Sequence, residues 1–189
     1  MIAEKIKNNK LFGFWIYLMS DCIIFAVLFA IYAIVSSNLS INFIDNKIID
    51  LSYVFIETFI LLLSSLSCGI LTVEINKKNI IKVYFYLFLT FFLGFLFLFM
   101  EINEFYHLFL KNYTPSRNAF FSIFFTLIGT HGIHVFFGLI FILSIFYQLF
   151  NLGMTDIIRM RILCFSLFWH FLDIIWICVF TFVYLNGAI

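Results

Sequence analysis

Acidic side chains occur inside four stretches of this chain that are long and apolar enough to cross a lipid bilayer, and three histidines share the buried depth. The seven residues are Asp21, Glu57, Glu101, Asp173, His131, His134 and His170. On insertion scales an Asp at the bilayer centre costs about 2.5–3.5 kcal/mol, whereas each Leu, Ile, Phe or Val gains only about 0.3–0.6 kcal/mol. Ionisable groups at this depth therefore face protein, water or lipid headgroups, and they are candidates for proton transfer, metal binding or lipid contact.

Asp21 is the acid placed deepest in the first stretch, about 14 Å from its start at 1.5 Å per residue. Burial favours the neutral carboxyl unless a partner or a chain of water reaches it. Two interpretations remain open. Asp21 lies near a proton entry route, or it is a protonated hydrogen-bond donor between helices.

Glu57 and Glu101 are placed differently, because the second stretch begins and the third ends on the same side of the membrane. Both acids fall in that half of the bilayer, where they could meet each other or a lipid headgroup. For Glu57 an ordinary solvated acid is also compatible with the sequence, if the helix starts lower.

The histidines raise the question of a metal or a haem. His131 and His134 are three residues apart, and counting along the helices puts His131 and His170 both near mid-membrane, so a haem between the fourth and fifth spans is geometrically conceivable. The alternative is that all three are neutral donors to carbonyls or to Asp173, one turn from His170. The cysteines predict neither a zinc site nor a disulfide framework, because they show no CxxC or Cys/His ligand spacing.

The elements that must position these groups are membrane helices. Of 189 residues 65% are hydrophobic and only 11% are charged, against about 25% charged in soluble domains. Apolar runs of about 20 residues predict spans, here at residues 12–35, 53–75, 81–101, 119–149 and 162–185. The fold class is therefore all-α, one polytopic transmembrane bundle of five helices that makes residues 1–189 a single domain.

The distribution of lysine and arginine predicts the orientation. Eight of these residues lie in the N-terminal segment and in the second and fourth connections, and three lie on the opposite side. By the positive-inside rule the N-terminus is cytoplasmic and the C-terminus periplasmic. No basic face indicates nucleic acid, which is excluded as a partner.

Four local strings, found in the same order along the chain, resemble subunit III of the haem-copper respiratory oxidases. They are FGFWIYLMSDCIIF (residues 12–25), ETFILLLSS (57–65), GTHGIHV (129–135) and FWHFLDIIWICVFTFVYL (168–185). The likeness is greatest to the quinol-oxidising cytochrome o type, and it covers essentially the whole chain after about residue 10.

The resemblance implies an accessory subunit that binds no haem or copper, packs beside the catalytic subunit I, holds phospholipid between its helices and helps to sustain proton uptake. Asp21 falls at the family's buried carboxylate, which is usually Glu in the seven-span members. The other six residues fall at positions that the quinol-oxidase strings fill with the same types. The family assigns none of them to a redox centre, so they are expected to make lipid or interhelical polar contacts.

Three functions follow as hypotheses. The first is a non-catalytic subunit of a proton-pumping ubiquinol oxidase of the respiratory chain, in a bacterial inner membrane, with haem and copper in the partner catalytic subunit. The second is a small membrane cytochrome with His131 and His170 as axial ligands. The third is a proton-coupled transporter that uses the acids as a relay, although the chain lacks the repeats and interrupted helices common in transporters.

Overall fold

The computed structural model describes residues 2–38, 51–77, 79–111, 113–116 and 118–185, and most of these residues lie in long helices. The helices are α1 Ile2–Asn38, α2 Leu51–Asn76, α3 Ile80–Leu110, α4 Ala119–Leu152 and α5 Asp156–Val179, which continues as a π-helical segment, Phe180–Leu185. All five are long and apolar enough to cross a membrane, and no strand occurs in these ranges. The predicted all-α, five-span architecture is confirmed. The orientation stays a prediction, and most of the polar connection at residues 36–52 lies outside the described residues.

Two helices extend further than their apolar runs. α3 continues beyond residue 101 to Leu110, so Glu101 lies well inside it. α5 begins at Asp156 rather than at residue 162, because the Thr155 hydroxyl caps the helix by accepting from the Ile158 amide at 3.4 Å. Such caps satisfy amides that have no intrahelical partner. α4 ends at Leu152. The next residue, Gly153, has a φ of 64°, which lies in the left-handed region that glycine adopts readily.

α5 is the central helix of the bundle, and it packs against α1, α2 and α4. The most apolar stretch of α5 is 56% buried, whereas that of α1, which lies at the rim against α4 and α5, is 22% buried. We use the term C-terminal end of the bundle for the end at which α1, α3 and α5 finish and α2 and α4 begin. There the Tyr32 hydroxyl of α1 donates to the Val183 carbonyl at 3.4 Å.

Trp169 of α5 fills the space between three neighbouring helices. A Cβ atom on Gly94 of α3 would lie 2.7 Å from its ring, and one on Gly138 of α4 would lie 2.8 Å from it. The indole Nε1 donates to the Ser64 hydroxyl of α2 at 3.0 Å. Small residues are the usual means by which membrane helices approach closely, and here they accommodate one large ring.

Hydroxyl groups join α2 to α3 beside this tryptophan. Ser64 donates to the Thr90 carbonyl at 3.3 Å, and the hydroxyls of Ser67 and Thr90 lie 2.8 Å apart. These groups are buried, and each has a hydrogen-bond partner, as buried polar groups require.

We expect Gly94→Ala and Gly138→Ala each to destabilise the purified chain by about 1–3 kcal/mol, the usual result of adding a methyl group to a well-packed interior. Thermal unfolding in mild detergent measures the change. Gly129→Ala is the matched control, because a Cβ there meets nothing within 4 Å. Equal midpoints for all three variants would contradict the packing of Trp169.

Candidate functional site

Asp21 of α1 faces His134 of α4. The distance from His134 Nε2 to Asp21 Oδ2 is 3.8 Å, and His134 Nδ1 lies 2.7 Å from the Thr130 carbonyl. A carbonyl oxygen only accepts, so Nδ1 carries the proton of the neutral ring and Nε2 is left as an acceptor. The pair is attractive only when one more proton lies on Nε2 or on the carboxyl. The Asp21–His134 contact therefore joins α1 to α4 through two ionisable side chains.

A second polar group lies between α2 and α5. The Ser65 hydroxyl is 2.8 Å from His170 Nδ1, and it also interacts with Asp173, which lies within electrostatic reach of His170. Ser65 and Asp173 are each 8% exposed. Ser65 of α2 thus interacts with both His170 and Asp173 of α5, and the group links these two helices.

A third group lies towards the C-terminal end of the bundle. Glu57 of α2 is fully buried, Glu101 of α3 is 2% exposed, and both lie within electrostatic reach of Glu104. The Tyr184 hydroxyl donates to Glu104 Oε2 at 2.9 Å. In the described part of the chain neither oxygen of Glu57 or of Glu101 has a hydrogen-bond partner.

His131 is enclosed by aromatic rings. Its ring centroid lies 5.1 Å from that of Trp176, 5.9 Å from Phe97 and 6.5 Å from Phe25. Neither ring nitrogen meets a hydrogen-bond partner among the residues described. The neighbouring indole of Trp176 donates instead to the Thr58 hydroxyl of α2 at 3.1 Å.

His131 and His170 do not face one common space. His131 packs on Trp176, whereas His170 faces Ser65, and Trp176 and His170 point about 120° apart around α5 at 100° per residue. In the described ranges no group of three or more His, Cys, Asp or Glu side chains is arranged to hold a metal ion.

Sequence reasoning passed over Ser65, a member of the second polar group, and Glu74, an acid outside the three groups. A serine within an apolar run gives no local signal that it faces His170, because that depends on how α2 is rotated. Glu74 was missed because it stands at the end of α2, where it pairs with Lys77 at 2.9 Å and Lys82 at 3.9 Å although it is only 6% exposed. The lysine three residues after Glu74 is the signal that reveals this pair.

Comparison with known proteins connects this geometry to a family. The family described as cytochrome c oxidase subunit III matches residues 3–188, nearly the whole chain. The chain belongs to the cytochrome c oxidase subunit III family. Its members are the accessory subunit III of haem-copper oxidases, so the resemblance found in the four strings is confirmed.

Individual relatives within the subunit III family are similar over almost their full length. The chain is 75% identical over 189 residues to cytochrome bo(3) ubiquinol oxidase subunit 3 of Buchnera aphidicola subsp. Schizaphis graminum, covering 100% of both chains. It is 48% identical to the protein of the same name in Pseudomonas aeruginosa, over 99% of this chain and 90% of that one. It is 38% identical to quinol oxidase subunit 3 of Bacillus subtilis, over 94% and 87% of the two chains.

The five apolar helices and the membership of the subunit III family together identify a multi-pass membrane protein that is a subunit of a larger complex. The three polar groups described above are thus features of a membrane-embedded bundle. In such a setting each interhelical hydrogen bond contributes about 0.6 kcal/mol, and at most about 1.7 kcal/mol.

We expect Ser65→Ala to destabilise the purified chain by an amount in that range of about 0.6–1.7 kcal/mol, because it removes the hydroxyl shared by His170 and Asp173. Thermal unfolding in detergent measures it. Ser37→Ala is the control, since the exposed Ser37 hydroxyl donates to the Ile34 carbonyl of its own helix. A smaller effect at Ser65 than at Ser37 would show that Ser65 does not link α2 to α5.

Proposed function

We propose that this chain is the accessory, non-redox subunit III of a proton-pumping ubiquinol oxidase in a bacterial inner membrane, with its N-terminus in the cytoplasm and its C-terminus in the periplasm. The observation that carries the proposal is the identity of 75% and 48% with two full-length relatives named cytochrome bo(3) ubiquinol oxidase subunit 3. In the complex, quinol is oxidised, oxygen is reduced to water and protons are moved. This chain supports that reaction without carrying electrons.

Haem and copper belong, in this proposal, to the partner catalytic subunit I. Two features of the chain support that assignment. His131 and His170 face different neighbours, Trp176 and Ser65, and no described cluster of ligand side chains suits a metal. The residues present therefore do not fit a haem held between α4 and α5.

The chain contributes structure and lipid binding. α1 presents large apolar side chains outward, among them Ile23 at 66% and Trp15 at 45% exposure, which suits packing against subunit I, other subunits or phospholipid. We assign Glu57, Glu101, His131, His134, His170 and Asp173 to interhelical polar contacts or lipid contact. The hydrogen bond between His170 and Ser65 of α2 and the contact of His134 with Asp21 of α1 support this role for those two residues.

Asp21 has a separate role, the support of sustained proton uptake. It is 5% exposed and its Oδ2 lies 3.8 Å from His134 Nε2, while Tyr17 lies beside it one turn nearer to the N-terminal end. Tyr17 is half-exposed. A buried carboxyl that faces an imidazole and lies beside a half-exposed hydroxyl group suits proton transfer towards a partner subunit.

A tag on this chain should recover, in mild detergent, a complex with a haem spectrum and quinol-driven oxygen consumption. Reduced-minus-oxidised optical spectra and an oxygen electrode measure both. We expect both to be lost when the chain is stripped from its partners, because the redox groups belong to another subunit. The stripped chain is its own control for haem content.

Two other results would contradict the proposal. Haem that remained with the lone chain in stoichiometric amount would make His131 and His170 ligands, and the chain would be a small cytochrome. Recovery of neither haem nor a large partner would favour the proton-coupled transporter, which proton uptake by vesicles containing only this chain would establish.

Asp21→Ala should leave the subunit composition and the initial oxidase rate of the complex unchanged, while turnover declines sooner or fewer protons are pumped per oxygen. The physical reason is that alanine removes a proton carrier and little packing volume. The measurement is oxygen consumption followed over many turnovers, together with proton release from vesicles.

Asp21→Asn and Asp21→Leu separate this role from a structural one. If Asp21 serves only as an interhelical donor, Asp21→Asn is nearly silent and Asp21→Leu impairs assembly. If it carries protons, Asn behaves like Ala. Full activity and normal assembly of all three variants would remove any role for this acid.

A further inference from the structure

The acids towards the C-terminal end form a buried group, and no described lysine or arginine pairs with them. Glu57 lies on α2, Glu101 and Glu104 on α3, and Tyr184 on the π-helical segment, and all four are within electrostatic reach of one another. Glu104 is half-buried, and among the described residues it has one donor, the Tyr184 hydroxyl at 2.9 Å. Glu57 and Glu101 lie behind it.

The groups that face these acids are neutral or acidic in every packed element that is described. α2 contributes Tyr53, whose hydroxyl donates to the Met100 carbonyl at 3.2 Å. α1 brings Tyr32 to the same end of the bundle, where its hydroxyl bonds the Val183 carbonyl. α4 contributes His131, which lies against Phe97, one turn along α3 from Glu101. The described lysines that pair with a glutamate, Lys77 and Lys82, do so at the opposite end of the bundle.

The side chain of Glu101 packs closely against α4 at Gly132. A Cβ atom on Gly132 would lie 2.6 Å from Glu101 Oε1 and 3.0 Å from its Cδ. The acid therefore occupies room that exists only because residue 132 has no side chain. Next to Gly132 in sequence, His131 is fully buried, and no hydrogen-bond partner for either of its nitrogens occurs in the described ranges.

Three ligands would compensate such acids: a metal ion, a cationic group of a partner, or protons. A metal ion is disfavoured, because the described carboxyls and His131 are not arranged to hold one. An ionised carboxylate that is buried without donors is so unfavourable that the group takes up a proton instead. Close like charges act in the same direction.

We propose that Glu57, Glu101 and Glu104 form a proton-binding site in which Glu57 and Glu101 each hold a proton, with exchange to the C-terminal surface through Glu104, whose carboxyl accepts from the buried Tyr184 hydroxyl. The site is distinct from the Asp21 and His134 pair, which lies between α1 and α4. It also stands apart from the proposed function, because it concerns only the charge state of this chain's own carboxyls.

Infrared difference spectroscopy tests the proposal on the purified full-length chain and on the tagged complex. We expect the Glu57→Gln and Glu101→Gln variants each to lose intensity in the C=O stretching band of protonated carboxyls at neutral pH. Glu74→Gln is the matched control, because Glu74 is also buried but is paired with Lys77. That variant should lose carboxylate intensity only.

Loss of carboxylate bands alone in Glu57→Gln and Glu101→Gln would overturn the proposal, because the acids would then be ionised and neutralised by a cation of a partner subunit or a lipid ammonium group. Should the Gln variants fail to accumulate, Gly132→Ala gives the second measurement. Its added methyl group must displace the Glu101 carboxyl, so the protonated band should shift. An unshifted band would overturn the assignment to Glu101.

The exchange route has its own readout. On transfer to D₂O, the bands of Glu57 and Glu101 should shift several-fold more slowly in Glu104→Gln than in the wild type, since the proton outlet is blocked. An unchanged exchange rate would overturn the route through Glu104.

Discussion

The close approach of α3 and α4 to Trp169 is the constraint on which the other contacts depend. Lipid chains are as apolar as the helix surfaces, so membrane helices gain little from hydrophobic burial against one another and associate by packing and hydrogen bonds instead. Gly94 and Gly138 let two backbones reach the same indole ring, while its Nε1 bonds Ser64 of α2. This single side chain of α5 thereby fixes the spacing of three other helices. The distances within the polar groups on either side of Trp169 depend on that spacing.

Polar side chains in the described bundle are of two kinds, those with hydrogen-bond partners and those without. Serine and threonine hydroxyls, and the histidines at positions 134 and 170, are bonded to neighbouring helices or to backbone carbonyls. Glu57, Glu101 and His131 have no such partners within the described residues. The first kind of group holds helices together. The second kind weakens the fold if its only role is structural, which is why these residues are the better candidates for a function.

The number of helices and four of the buried acids, Asp21, Glu57, Glu101 and Asp173, could be predicted from the sequence, because apolar run length and an acid within such a run are local signals. The C-terminal end of α3 and the start of α5 could not be predicted in this way. The Thr155 cap lets α5 begin before its apolar run, and amphipathic turns after Glu101 extend α3. Partners were the hardest to predict. Pairing Asp21 with His134, or His170 with Ser65, depends on how α1, α2, α4 and α5 are rotated about their axes, and that rotation is set by distant packing such as that of Trp169.

The π-helical segment at Phe180–Leu185 has a consequence for the direction in which the chain end points. In an α-helix Tyr184 would lie within about 20° of Asp173, at 100° per residue, and so would face α2 beside His170. The wider i→i+5 turns of a π-helix unwind α5 there and rotate Tyr184 towards Trp176, whose ring centroid is 6.3 Å away. The segment changes the direction in which the residues after Val179 point around the helix axis. α5 and its π-helical continuation therefore direct polar residues to Ser65 in the middle of the bundle and to Glu104 near its C-terminal end.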